Sequence, residues 1–246
     1  MNHDQSRLYL VTDRKATGER DERLQAESLL RKVGEALEGG VRIVQYREKD
    51  KNWQSYQGVA QGVQVLCERY GALFIVNDDV KLARDLNADG VHLGQDDMGC
   101  AEARSLLGDE KIIGISISSV EEAVAAEQAG ANYISVGPIF TTRTKPDAGE
   151  PVGVYHIMEI RSAVKIPVVA IGGITESTLA DVIAAGADYA AMVSGIFGQR
   201  DIRGAVERCQ SIIEGSAPRP EFRPLRRPSA HPAAYAAATQ LVGEAL

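Results

Sequence analysis

Residues Glu127–Gly137 read EQAGANYISVG, and residues Ile183–Gly195 read IAAGADYAAMVSG. Each begins as the end of an amphipathic helix, stops at a glycine, and passes through Ala-Asn-Tyr or Ala-Asp-Tyr into a short apolar run. Glycine tolerates the left-handed backbone that often closes a helix, so the two stretches read as one helix-turn-strand unit used twice. Outward from them the alternation continues over most of the chain. Strands are expected at Leu8–Thr12, Ile43–Arg47, Leu73–Asn77, Gly90–Gly94, Ile112–Ser116, Tyr133–Gly137, Pro167–Gly172 and Tyr189–Ser194. Most are continuous apolar runs, the pattern of parallel strands covered on both faces. Amphipathic segments lie between them at Glu22–Glu38, Trp53–Tyr70, Val120–Ala129, Val154–Val164, Leu179–Ala185 and Gly204–Ile213, with further glycine stops at Gly39-Gly40 and Gly71. Eight such units predict an α/β fold, a single (β/α)8 TIM barrel over residues 1–215. A doubly wound sheet is disfavoured, because the first strand runs into RKATGER and not into GxGxxG.

Composition narrows the function classes. Of the 246 residues 44% are apolar and 25% charged, enough for a full core in a globular chain. The formal charge of −7 argues against a nucleic-acid groove or an anionic membrane surface. The tail from Ser216 to Leu246 is basic, with Arg219, Arg223, Arg226 and Arg227 against Glu221 and Glu244, and holds five of the nine prolines. It is expected to be an irregular Pro/Arg/Ala-rich extension, with a short Ala-rich helix from Ala233. Cys67, Cys100 and Cys209 show no CxxC or Cys/His spacing, which fits a reducing compartment and no zinc site. With no signal peptide at MNHDQSR and no run near the roughly 18 apolar residues of a membrane span, a cytoplasmic protein is expected. Whether it forms a homo-oligomer is left open by the sequence.

Barrel enzymes keep their chemistry at the carboxyl ends of the strands, and here those ends carry groups that a packed core does not need. Strand 2 runs out as Gln45-Tyr46-Arg47-Glu48-Lys49, strand 3 as Asn77-Asp78-Asp79, and strand 4 as Gln95-Asp96-Asp97. Strand 5 carries Ser116. The loop after strand 6 holds Thr142-Arg143-Thr144-Lys145, and strands 7 and 8 end in Gly172-Gly173 and Val193-Ser194-Gly195. Asp78 and Asp97, on adjacent strand ends, suit Mg²⁺, which takes a few carboxylates plus water and phosphate oxygens. Asp79 and Asp96 read instead as helix caps or solvated groups. Arg47, Lys49 and Lys145 would neutralise an anion such as a diphosphate; the bland alternative for Arg47 and Lys49 is surface pairing with Glu48 or Asp50. The glycines after strand 7, with Val193-Ser194, match the common barrel phosphate site. His92 reads as a satisfied core histidine, Trp53 and Tyr56 as packing. No Ser-His-Asp or Cys-His set is evident.

Eight motifs in order make the chain resemble the thiamine-phosphate synthase family across about residues 7–213. They are YLVTD (Tyr9–Asp13), VQYREKD (Val44–Asp50), FIVNDD (Phe74–Asp79), GVHLGQDD (Gly90–Asp97), GIS (Gly114–Ser116), VGPIF with TTRTK (Val136–Lys145), AIGGI (Ala170–Ile174) and MVSGI (Met192–Ile196). The resemblance implies a transferase that joins an aminopyrimidine-methyl diphosphate to a thiazole phosphate and releases diphosphate. It implies that Gln45, Tyr46, Arg47, Glu48, Lys49 and Asn77 hold the pyrimidine diphosphate, and that Ser116 and Lys145 contact its diphosphate. It further implies that Asp78 and Asp97 bind one Mg²⁺ per subunit, and that Thr142, Arg143, Thr144, Gly173, Val193 and Ser194 hold the thiazole phosphate. Arg47, Lys49, Ser116 and Lys145 would act on the reacting group.

Two positions depart from the family pattern: Tyr46 stands where an aliphatic residue is usual, and Ile117-Ser118-Ser119 lacks a usual His. Rival readings are a thiazole tautomerase of the same barrel family, a phosphate-binding isomerase or aldolase, and a non-catalytic phosphate-binding barrel. The missing His counts against the tautomerase, and no strand carries a lysine placed for a Schiff base. Retention of Asp78, Asp97 and Lys145 counts against a degenerate barrel.

Overall fold

A computed structural model describes residues 6–50, 52, 55–145, 148–216 and 222–225. The strands are β1 (Leu8–Val11), β2 (Ile43–Tyr46), β3 (Leu73–Asn77), β4 (Gly90–Leu93), β5 (Ile112–Ile117), β6 (Tyr133–Val136), β7 (Val168–Ile171) and β8 (Tyr189–Met192). They pair in parallel, each with the next, and β8 returns to β1, closing the barrel. The helices are α1 (Glu22–Glu38), α2 (Tyr56–Arg69), α3 (Val80–Asp85), α4 (Cys100–Leu107), α5 (Val120–Gln128), α6 (Gly153–Ala163), α7 (Glu176–Ala185), α8 (Ser194–Phe197) and α9 (Ile202–Gly215), with a 3₁₀ turn at Arg14–Thr17. The eight-unit α/β barrel expected from the sequence is therefore the observed architecture.

Most strands stop one or two residues earlier than the apolar runs suggest. Thr12, Arg47, Gly137, Gly172, Val193 and Ser194 lie beyond the ladder, where the backbone turns towards the mouth. Gly172 shows why: it takes φ +99°, a conformation open mainly to glycine. Two short helices, α3 and α4, fill the third and fourth crossovers. Asp79 caps α3, its carboxylate accepting from Leu82 N at 2.9 Å, as expected of it. Trp53 and the segment from Ala233 lie outside the described residues.

Side chains alternate across each strand, so the barrel has two apolar layers. Outward residues such as Leu10, Val44, Phe74 and Ile113 pack beneath the helices. Inward residues Tyr9, Ile43, Leu73, Ile75, Ile112, Tyr133, Val169 and Tyr189 fill the interior. The described part of the tail joins this inner cluster at the amino-terminal end. The Phe222 ring lies 5.6 Å from that of Tyr189, and the Arg7 guanidinium 5.3 Å over Phe222. Arg223 N donates to Asp188 Oδ1 at 3.0 Å and Leu225 N to Tyr189 Oη at 2.7 Å. Asp188, itself buried, also accepts from Val168 N at 2.9 Å. These four residues of the extension thus belong to the floor of the barrel.

Gly114 on β5 makes room for the Tyr133 ring, with which any Cβ at that position would collide. Gly114→Ala should lower stability in urea denaturation by about 1–3 kcal/mol, the usual effect of overpacking. Gly58→Ala, in an exposed turn of α2 with nothing near the added methyl, should instead stabilise by about 0.5–1 kcal/mol.

Candidate active site

A cavity of about 470 Å³ opens at the carboxyl ends of the strands. Its lining includes Gln45, Arg47, Lys49, Asn77, Asp78, Asp97, Ser116, Thr142, Thr144, Lys145, Gly173, Val193 and Ser194. Three residues expected at the ligands do not line it. Tyr46 follows Gln45 on β2, so alternation turns it outward, where it is buried against α2 and its hydroxyl donates to the Tyr56 carbonyl at 2.8 Å. Arg143 is exposed between the half-buried Thr142 and Thr144. Glu48 accepts from Arg14 Nε at 2.8 Å and from Asp50 N at 2.8 Å.

The Glu48 contact decides how the neighbouring cations are used. Arg14, in the 3₁₀ turn after β1, also lies 3.7 Å from Asp50 and donates to Gln25 Oε1 at 3.0 Å. Both carboxylates that could have paired with Arg47 and Lys49 thus face Arg14. The clasp ties the loop after β2 to the loop after β1, while Arg47 and Lys49, on either side of Glu48, face the cavity. Surface pairing of Arg47 and Lys49 with Glu48 or Asp50 is not what the structure shows.

Asp78 has φ +61°, uncommon for a residue with a side chain, and such strain gathers at functional sites. Its carboxylate meets Lys49 Nζ at 2.6 Å and the carboxyl of Asp97. Asp97 Oδ2 accepts from Gly94 N at 2.8 Å. Burial raises the Asp78 carboxyl, but the hydrogen bonds from Lys49 and Asp97 outweigh it and hold Asp78 below the usual carboxylate range. Burial and the Asp78 charge push Asp97 above that range. Two touching carboxylates resist ionising together, so the pair is suited to a cation. Among the described residues no group of three or more His, Cys, Asp or Glu side chains is placed to hold a metal ion by itself. A two-carboxylate donor set fits an oxygen-loving ion that keeps water and phosphate ligands, not a four-ligand zinc cage.

Across the cavity Thr144 Oγ1 lies 3.4 Å from Ser194 Oγ, and Thr144 N donates to Thr142 Oγ1 at 3.2 Å. Gly173 (φ +65°) lies so close to the Phe140–Thr141 backbone that a side chain there would clash. This wall offers small hydroxyls and close-approaching backbone, a suitable surface for a phosphate.

Beneath both walls lies a polar chain in which Gln45 and Ser116 were expected at the site and Tyr9, His92 and Tyr133 were not. Gln45 Nε2 donates to Tyr9 Oη at 2.9 Å, and Tyr9 Oη meets Tyr133 Oη at 2.8 Å. Tyr133 Oη is 2.9 Å from His92 Nδ1, and His92 Nε2 is 2.9 Å from Ser116 Oγ. His92 is indeed buried and satisfied, but its partner is a cavity residue. The available signal was phase: Tyr9, Gln45, His92, Ser116 and Tyr133 all take inward positions on their strands.

Burial lowers the His92 pKa from 6.5 to about 4, against a smaller opposing effect of Asp78. Between those values the unfolded chain binds a proton that the folded chain refuses, so stability falls as pH drops through this window. Denaturant midpoints should show a His92-dependent loss of about 2 kcal/mol from pH 7 to pH 5. His92→Gln should flatten that slope.

A family model described as thiamine monophosphate synthase matches residues 8–196. A thiamine-phosphate synthase from Syntrophomonas wolfei is 44% identical over 214 residues, covering 87% of this chain and 99% of the relative. One from Methanosarcina barkeri is 46% identical, covering 80% and 85%. Among solved structures, thiamine phosphate pyrophosphorylase from Pyrococcus furiosus superposes with a TM-score of 0.75 at 36% identity, over 86% of this chain and 97% of that one. With the match spanning the barrel and the strand ends that form its mouth, the chain belongs to the thiamine monophosphate synthase family, a family of transferases.

Proposed function

We propose that this chain condenses 4-amino-2-methyl-5-(diphosphooxymethyl)pyrimidine with 4-methyl-5-(2-phosphooxyethyl)thiazole, giving thiamine monophosphate and diphosphate. The observation that carries this reading is the opposition of charges in one cavity. Asp78 and Asp97 stand beside Arg47, Lys49 and Lys145, and a glycine- and hydroxyl-lined wall faces them. A polyanionic leaving group bound through a cation needs the first set, and a second phosphorylated substrate needs the wall.

In the reaction the methylene carbon–oxygen bond breaks with its electron pair leaving on the diphosphate, and the thiazole nitrogen lone pair forms the new carbon–nitrogen bond. The electron-rich aminopyrimidine supports positive charge on the methylene carbon. Arg47, Lys49 and Lys145 absorb charge as it develops on the diphosphate oxygens, and Ser116 offers a further polar contact. Mg²⁺ held by Asp78 and Asp97 would supply additional neutralisation of the diphosphate. Thr142, Thr144, Gly173, Val193 and Ser194 hold the thiazole phosphate so that the nitrogen stands in line with the carbon. Asn77 and Gln45 lie at the pyrimidine side. No protein nucleophile is needed, and none of the three buried cysteines lines the cavity.

The rival enzyme readings lack their chemistry. The eight strands contain no lysine for a Schiff base, and the residue after Ser116 is Ile117, buried on the outward face of β5. A non-catalytic barrel would not need the strained Asp78 or its pairing with Lys49.

Diphosphate release should require both substrates and Mg²⁺, and chelation should stop it. Asp97→Asn and Lys145→Ala should each lower kcat by about 10²–10³, as loss of a preorganised electrostatic contact does. Release without the thiazole phosphate, or full activity of Asp97→Asn in chelator, would overturn the assignment.

A further inference from the structure

The buried chain under the cavity has a direction, and one amide sets it. The Gln45 side-chain nitrogen can only donate, so Tyr9 Oη accepts from it. With its oxygen taken as acceptor, Tyr9 turns its single proton to Tyr133 Oη, and Tyr133 turns its own to His92 Nδ1. A neutral imidazole that accepts at Nδ1 carries its hydrogen at Nε2, and Nε2 faces Ser116 Oγ. The Ser116 oxygen is thereby occupied as an acceptor, and its one proton is left for a partner in the cavity.

We propose that Gln45, Tyr9, Tyr133 and His92 form a one-way hydrogen-bond chain that commits Ser116 to donate to an oxygen of the departing diphosphate. This rests on the reading that Ser116 faces that diphosphate. Tyr9, Tyr133 and His92 border the floor of the cavity, and in this proposal they are positioning residues that act through Ser116. The reverse chain would bring the Tyr9 hydroxyl proton against the Gln45 amide hydrogens and would make Ser116 a donor to His92, leaving only its lone pairs for a diphosphate that has lone pairs of its own. Packing holds the chain in place. The His92 and Tyr133 rings stack at 5.4 Å between centroids, and Gly114 opens the space that Tyr133 fills.

Two measurements test the proposal. In protein labelled with ¹⁵N-histidine, long-range ¹H–¹⁵N correlations, assigned against His92→Gln, should show His92 near neutral pH as the Nε2–H tautomer with bare Nδ1. Tyr133→Phe should abolish that preference. In steady-state assays Tyr133→Phe should lower kcat by about 10-fold, the scale of one lost hydrogen bond, with KM for the pyrimidine diphosphate within about two-fold. In a Ser116→Ala background the same substitution should cause no further loss. An Nδ1–H tautomer, an imidazolium, or losses that multiply in the double variant would overturn the proposal. Should Tyr133→Phe fold poorly in thermal melting, Tyr9→Phe makes the same test one link further back. Failure of the wild type to release diphosphate would sink the reaction assignment, whereas the tautomer is read without turnover and decides the direction by itself.

Discussion

Everything in this molecule follows from closing eight short parallel strands on themselves. A closed ladder satisfies every strand edge and forces side chains to alternate between an inner and an outer face. The outer face is settled by burial against helices and is uniformly apolar. The inner face cannot be uniform, because one end must be filled and the other must bind. Aromatic and branched side chains fill the lower levels, Ile43, Leu73, Ile112 and Tyr189 among them. One level up, inward residues become Tyr9, Gln45, His92, Ser116 and Tyr133, and above these the strands end in charge. Polarity therefore rises along the axis.

That gradient explains which parts of the site could be read from the sequence. The residues at and beyond the strand ends, Asn77, Asp78, Asp97, Thr142, Thr144 and Lys145, are conspicuous because a core has no use for them, and the structure gathers them in one cavity. Eight strand-helix units were equally legible, since continuous apolar runs and glycine stops repeat. Tyr46 and Glu48 were harder because they sit inside a motif whose other members do line the cavity. Only alternation on β2 and the position of Arg14, more than thirty residues earlier, separate them from Gln45, Arg47 and Lys49. His92 was legible as a buried, satisfied residue. Its link to Ser116 was not, because the two contacts depend on registers between β4, β5 and β6 that no local pattern specifies.

The Arg14–Glu48 clasp and the Lys49–Asp78 contact answer different needs with the same chemistry. In the first, a nearly buried ion pair (side chains 13% and 8% exposed) ties two loops together and takes Glu48 out of reach of the cavity cations. The desolvation of such a pair offsets much of its attraction, so its net contribution to stability is small. In the second, Lys49 is largely exposed while Asp78 is not, so the lysine can turn from carboxylate to ligand at little expense.

The floor formed by Phe222–Leu225 has a consequence for traffic. Among the described residues the amino-terminal end is filled by the inner cluster and covered by Phe222, Leu225 and the Asp188 hydrogen bonds, and the cavity opens at the other end. In the proposed reaction both substrates would enter, and both products leave, through the same ring of loops at that open end.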